Sequence, residues 1–416
     1  MNSEQVVIDK LVHGGQGLGV LSDGRKVFVW NALPGEKVAM QITKKRRDYV
    51  EAIADKVIEP SSERIEPEED NYLSTSPWQM MTFEAENKYK KAIIEEIFAR
   101  EHVSMPSFDF VSKQQTFHYR NKMEYSFWGD DDGLHLALHQ RGSHGKQIVR
   151  GSKLAMPAVD RAAHKVLSEL QKHSLRAGDL KTVIIRASQT GEAVASLFVK
   201  TEDFIKVDLP DGIKGLVVWY SNPKSPASVP TKQLYKLGNT VLTDTLLGRN
   251  FEYNSDSFFQ VNLPIFERAL SVIKDSVDEA KVTDMYGGVG SIGLSVSADP
   301  VVIELDDATV AMAKRNAAET RAKVIHASTE KALEHILNDR ILIVDPPRAG
   351  LHKDVIARIL EVKPKRAVYL SCNPATQARD IKLLEEQYKI SFFEGYNFFP
   401  RTPHIETLVV LERYQE

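Results

Sequence analysis

The segment Lys281-Val-Thr-Asp-Met-Tyr-Gly-Gly-Val-Gly-Ser-Ile-Gly-Leu294, followed by Val301-Val-Ile-Glu304, sets the fold. The first part is a short strand that breaks into a glycine-rich turn, and the second is a strand ending on a carboxylate. A glycine turn after a strand lets the backbone approach a bound nucleotide. An acidic residue about 20 positions further on can accept hydrogen bonds from both hydroxyls of a ribose. Gly287, Gly288, Gly290 and Gly293 do not follow the full dinucleotide fingerprint. The spacing by itself fits a nicotinamide dinucleotide or S-adenosylmethionine equally.

Outward from this unit, strands and helices alternate. A helix is predicted over 307–320 and a strand over 323–325. A strand over 340–344 runs into Asp345-Pro346-Pro347-Arg348, and a helix starts at Lys353. This alternation predicts an α/β, Rossmann-like domain with a largely parallel sheet over 251–416, closed by antiparallel strands near 394–400 and 407–411. The proline loop follows a strand end, where open α/β sheets bind ligands, and its carboxylate can orient a base or a cofactor amine. Amino-directed adenine methyltransferases end a similar loop on an aromatic residue; Arg348 stands there instead.

The only cysteine, Cys372, lies between the apolar strand Arg366-Ala-Val-Tyr-Leu-Ser and the helical stretch after Pro374. A thiol in such a turn faces the positive end of a helix dipole, so its pKa is expected to be lowered. The turn alone suits a packed structural cysteine as well as a nucleophile.

The rest of the chain divides in two. Five short β-segments with Gly/Pro turns over 1–60 predict a small OB-like barrel. Its Lys44-Lys45-Arg46-Arg47 run beside Tyr49 reads either as phosphate contact next to a stacking platform or as a solvated hairpin tip. Residues 61–70, acidic and proline-flanked, read as a linker. The interval 68–250 predicts a central α/β region. Its leading helix, 83–100, carries Tyr89, Ile93, Ile94, Ile97 and Phe98 on one face and can pack on the catalytic domain. Arg120, Lys122, Arg141, His144, Lys146 and Arg150 make this region a candidate RNA-contacting face, although each taken singly suits a solvated charge.

With 42% hydrophobic and 27% charged residues the chain is an ordinary globular protein. A net charge of −3 leaves nucleic-acid binding to local basic patches. No apolar run approaches the roughly 18 residues of a membrane-spanning helix, so no membrane partner is expected. One cysteine excludes an intrachain disulfide framework and a four-cysteine metal or iron–sulfur site, and fits a cytoplasmic protein.

The ordered set Phe258-Phe-Gln260-Val-Asn262, Asp284-Met-Tyr-Gly-Gly-Val-Gly290, Asp345-Pro-Pro-Arg-Ala-Gly-Leu351, Ser371-Cys-Asn-Pro-Ala-Thr376 and Phe399-Pro-Arg-Thr-Pro-His-Ile-Glu406 resembles the RNA uracil-5-methyltransferase family. Tyr119-Arg-Asn-Lys extends the match. Gly14-Gly-Gln-Gly-Leu-Gly and Leu33-Pro-Gly-Glu-Lys-Val resemble its N-terminal TRAM module. The resemblance implies a class I S-adenosylmethionine-dependent domain with Cys372 as nucleophile and Glu406 as base. It implies that Gln260, Tyr286, Gly288, Gly290, Glu304 and Asp345 line the cofactor and base pocket. It implies 5-methyluridine formation in RNA, with 23S ribosomal RNA favoured by the TRAM module and transfer RNA as the alternative, by a protein expected to be a monomer. An RNA cytosine-5 methyltransferase uses the same thiol attack, but its proline loop or a Pro-Cys motif carries the cysteine. A non-catalytic RNA-binding protein of this fold is the remaining reading. Many relatives carry an iron–sulfur cluster; here Leu73-Ser-Thr-Ser-Pro-Trp-Gln-Met80 has no cysteine, the position near Leu154 is apolar, and no cluster is expected. Gly287 replaces a cysteine common in the glycine turn, and His326-Ala-Ser328 lacks an acidic adenine contact, which stays open.

Overall fold

The computed structural model describes residues 4–143, 145–173 and 175–415, so His144 lies outside the described residues. Strands β1 (Glu4–Leu11), β2 (Gly17–Val20), β3 (Lys26–Trp30), β4 (Lys37–Lys45) and β5 (Tyr49–Glu59) close into a barrel in the order β1-β2-β3-β5-β4. Period-2 alternation turns Val6, Ile8, Val27, Val29, Val38, Met40, Val50 and Ala52 into its core. The expected linker is not loose. Arg64 forks onto the buried carboxylate of Glu36, with Nε at 2.6 Å and Nη2 at 2.8 Å, and ties the strand-like stretch after the barrel to it.

A short helix α1 (Tyr72–Thr75) precedes α2 (Phe83–Arg100), which Thr82 caps by accepting from the Ala85 N–H. The predicted stripe is real in Ile93, Ile94, Ile97 and Phe98, all buried, and half-buried Tyr89 packs beside them. These residues share one core with Val344, Tyr369, Val409 and Ile381 of the C-terminal half. Strand β6 (Asp109–Val111), which the sequence did not announce, then joins that half's sheet at its edge.

The central region comprises β7 (Lys122–Asp130), β8 (Gly133–His139), β9 (Lys146–Ile148), α3 (Pro157–Gln171), β10 (Leu180–Ala187), β11 (Ala193–Val199), β12 (Gly215–Tyr220) and β13 (Lys232–Gly238). Its seven strands run in the order β13-β12-β11-β10-β7-β8-β9, with α3 on one face. In the two stretches where no cluster is expected, Trp78 and Leu154 are fully buried. Trp78 Nε1 donates to the Gly15 carbonyl at 3.0 Å, and Glu69 accepts from Gln79 Nε2 at 2.7 Å and from the Lys153 N–H at 2.6 Å.

The hairpin β14 (Val241–Leu246) and β15 (Arg249–Asn254) follows, and residue 250 falls inside it. Its Leu242, Leu246, Phe251 and Tyr253 pack in one core with α4 (Leu263–Val277). Then come β16 (Val282–Met285), α5 (Gly293–Val296), β17 (Pro300–Glu304), α6 (Asp307–Ala317), β18 (Lys323–His326), β19 (Ile341–Val344), α7 (Lys353–Val362), β20 (Arg366–Ser371), α8 (Pro374–Leu384), β21 (Tyr388–Tyr396) and β22 (Glu406–Arg413). The sheet order is β18-β17-β16-β19-β20-β22-β21-β6, parallel from β18 to β20, with β22 inserted antiparallel between β20 and β21. Both faces of β16 and β19 are covered, so all their residues are buried; β19 reads as an unbroken apolar run, while β16 also buries Thr283 and Asp284. Strand order reverses at β16, which opens a crevice at the strand ends of β16, β17 and β19.

Candidate active site

A cavity of about 490 Å³ occupies that crevice, and Gln260, Tyr286, Glu304, Asp345, Cys372 and Glu406 all line it. Gly288 and Gly290 do not. They shape the turn instead: both have positive φ, and the Gly288 N–H donates to Glu304 Oε2 at 3.0 Å. Glu304 Oε1 accepts from the Leu305 and Asp306 N–H groups at 2.7 and 2.8 Å, so the carboxylate is held by backbone on both oxygens. Tyr286 has φ 63°, a left-handed conformation that costs an aromatic residue energy and tends to sit at functional sites. Deeper, Asp284 accepts from the Gly293 N–H at 2.7 Å, and burial pushes its carboxyl up to about 7.

Cys372 follows the last residue of β20 and precedes Asn373, the N-cap of α8. Asn373 Oδ1 accepts from the Ala375 N–H, while its Nδ2 donates to the Arg348 carbonyl at 2.8 Å. The thiol turn and the proline loop are thereby fastened together. Glu406 begins β22. The register pairs Ser371 with Thr407 and Tyr396 with Glu406, which places the carboxyl beside the thiol turn. Thr407 Oγ1 bonds Gln377 Oε1 at 2.7 Å, and Gln377 Nε2 donates to the Tyr369 carbonyl at 2.9 Å, locking α8 to both strands.

The expectation of a lowered thiol pKa does not hold. Burial first, then the carboxyls of Glu406 and Asp345, push Cys372 up to about 12; Arg348 opposes them. The helix-dipole effect is smaller than desolvation in a pocket that also holds two acids. Burial, aided by repulsion from Asp345, raises Glu406 well above the carboxylate range, and burial together with Asp284 raises Asp345 to about 7. His404 goes the other way: burial and the cations Arg348, Lys90, Arg120 and Arg141 lower it to about 3, so it is neutral. Its Nδ1 lies 3.3 Å from Arg348 Nη2, and its ring meets Phe399 edge-on at 5.6 Å.

Arg348, Phe399 and His404 all line the cavity, and sequence reasoning gave none of them a part in the site. Their signal was their place inside the quoted motifs. Arg120 also lines it, at the head of the central region's first strand. That region supports the pocket wall from behind: Asn121 Nδ2 donates to the Gln260 carbonyl at 3.0 Å, and Arg186 donates to the Ser257 and Phe259 carbonyls.

The chain matches two families: tRNA (Uracil-5-)-methyltransferase over residues 230–414, and the TRAM domain over residues 4–54. Relatives include an RNA methyltransferase of Thermotoga maritima, 30% identical over 98% of each chain, and one of Lactobacillus johnsonii, 30% identical over 100% of each chain. Among solved structures, the tRNA (uracil-54, C5)-methyltransferase of Pyrococcus abyssi, in complex with S-adenosyl-L-homocysteine, is 22% identical. It superposes with a TM-score of 0.79 over 98% of this chain and 100% of its own.

Proposed function

The chain belongs to the tRNA (uracil-5-)-methyltransferase family and carries an N-terminal TRAM domain, and from this premise we propose that it methylates C5 of a uridine in RNA, with Cys372 as nucleophile and Glu406 as base. The single observation that carries this reading is the meeting of Cys372, Glu406 and Asp345 in one cavity with the glycine-turn carboxylate Glu304.

The donor set fits S-adenosylmethionine. Glu304 is anchored by three backbone N–H groups and keeps lone pairs for ribose hydroxyls, and Phe258, 59% exposed beside Gly288, offers an aromatic face. Bound there, that cofactor supplies an electrophilic methyl group. Uracil C5 is too weak a nucleophile to take it unaided. The Cys372 sulfur, as thiolate, bonds C6 and makes C5 an enolate carbon. Once C5 carries the methyl group, its hydrogen leaves as a proton to Glu406, the C5–C6 double bond re-forms and the C6–S bond breaks, returning the thiolate. Burial raises the proton affinity of Glu406, so in its carboxylate form it draws a proton from carbon more strongly than an exposed acid does. Neutral His404 holds beside Arg348, the cation that favours the thiolate. The base reaches this pocket only when flipped from its stack, at a cost of a few kcal/mol.

The barrel, on which the expectation of ribosomal RNA rests, does not separate it from transfer RNA, because a transfer-RNA enzyme shares the fold over 98% of this chain. Transcripts of large-subunit ribosomal RNA segments and of transfer RNAs, made with 5-fluorouridine, test both. Fluorine cannot leave C5 as a cation, so the enzyme stalls on the RNA after methyl transfer. A denaturation-resistant protein–RNA band that needs S-adenosylmethionine and disappears in Cys372→Ala is expected, and the transcript that traps identifies the substrate. Label transfer to RNA without any trapped band refutes uracil C5 as the target.

A further inference from the structure

We propose that Glu86 and Lys90 are positioning residues, which set Glu406 over the uracil ring by clamping the turn from residue 397 to residue 401; this rests on the reading of Glu406 as the base. Both side chains are fully buried on α2, a helix that precedes the central region in the chain yet packs on the C-terminal sheet. Lys90 Nζ spends its three protons on Glu86 Oε1 (2.9 Å), Asn397 Oδ1 (2.7 Å) and the Phe399 carbonyl (3.1 Å), with the Trp78 ring centroid 5.6 Å away. Glu86 accepts in return from Asn397 Nδ2 at 2.8 Å and, through both oxygens, from the Arg401 N–H at 3.0 Å.

Every bond from this pair to the C-terminal half ends on residue 397, 399 or 401. Those three lie between Tyr396, the last residue of β21, and Glu406, the first of β22. Arg401 has φ 64°, a left-handed backbone that persists only where surroundings fix it; the Glu86 carboxylate on its N–H and the Met81 carbonyl on its Nη1 (2.9 Å) do so. The same turn supplies Phe399 and His404 to the cavity wall. A buried ion pair adds little net stability over an apolar pair of equal volume, so stability is a poor reason for this one. What it adds is direction. Five hydrogen bonds aim one turn, and the turn delivers the base.

Proton removal follows covalent addition, so the two steps separate the positioning role from a merely structural one. The variant Glu86→Gln/Lys90→Met removes both charges of the pair together, and Arg401, whose Nη1 lies 3.9 Å from the Glu86 carboxylate, keeps its bond to the Met81 carbonyl. In it, trapping on 5-fluorouridine RNA is expected at the wild-type rate. Turnover of ordinary RNA should fall on the order of 100-fold, the loss that a displacement of about 1 Å produces. The covalent complex should then accumulate on ordinary RNA, as it should in Glu406→Gln. Asn397→Ala, which removes bonds from the clamp without touching either charge, should show the same split. Parallel loss of trapping and turnover in either variant, or unchanged turnover, overturns the proposal. Absence of trapping in the wild-type enzyme instead refutes the assigned chemistry and leaves the clamp out of the account.

Discussion

Burial acts on Cys372 and Glu406 in one sense and, under the proposed mechanism, with opposite consequences. It holds the proton on the thiol, which in that mechanism must lose it, and it raises the proton affinity of the carboxyl, which in that mechanism must take one. A thiol near 12 carries very little thiolate at neutral pH, and that fraction grows about tenfold per pH unit until the pKa is reached. Alkylation of the free enzyme by iodoacetamide, followed by mass at Cys372, should therefore climb through pH 7 to 10 without a plateau. In Glu406→Gln a negative neighbour of the thiolate is gone, the thiol pKa falls, and alkylation at pH 9 to 10 should run several-fold faster than in the wild type. In Arg348→Gln the opposing cation is gone and the rate at the same pH should drop. A plateau below pH 8 in the wild-type protein contradicts a raised thiol. Cys372 and Glu406 could be singled out in the sequence because each sits inside a contiguous motif, and both line the cavity. Their protonation could not be read there, since it follows from two acids that approach only in the fold. Lys90 and Glu86 were illegible for a related reason: their partners lie about 300 residues away in the chain, and two charged residues at helical spacing look like any solvated pair.

The elements that hold the site were read best where the chain marks both ends. Arg366–Ser371 and Phe83–Arg100 came out with the bounds expected, one stopped by the Asn373-Pro374 pair and the other started by the Thr82 cap. The hairpin 241–254 and β6 went unread: burial alternates along β14 and β15, but a buried Asp244 interrupts the apolar pattern of β14, and β6 is only three residues long. The apolar stripe of α2 was expected to pack on the C-terminal domain, and Ile93, Ile94, Ile97 and Phe98 share one core with Val344, Tyr369 and Val409. The Asn373 turn does two jobs, cap and tether, and they can be separated. Asn373→Ala loses both and should lower unfolding stability by about 1 kcal/mol in urea. Asn373→Asp keeps the acceptor for the Ala375 N–H but not the donor to the Arg348 carbonyl. It should unfold close to the wild-type midpoint while its 5-fluorouridine adduct forms more slowly. Equal adduct rates in Asn373→Asp and the wild type would show that the tether does not matter to the thiol.

At the scale of the molecule, the barrel is tied by side chains to the stretch and helix that pack on the C-terminal half, rather than hanging on a free linker: Arg64 on Glu36, Trp78 on the Gly15 carbonyl, and Lys10 on Glu96 at 2.6 Å. The barrel's candidate RNA contact is the β4–β5 tip. Lys44 is occupied by Glu51 at 3.2 Å, which leaves Lys45, Arg46 and Arg47 exposed, while Tyr49 is braced edge-on against Phe28 at 5.6 Å. Each cation that neutralises a phosphate of single-stranded RNA contributes about 0.7 to the slope of log affinity against log salt. Replacing the three with Gln should cut that slope by roughly 2 and weaken binding in low salt. Turnover at saturating RNA should stay at the wild-type value, since none of the three lines the cavity. A slope unchanged between variant and wild type makes this tip a solvated hairpin, and shifts the search for the phosphate contacts to Arg120 and the strands of the central region.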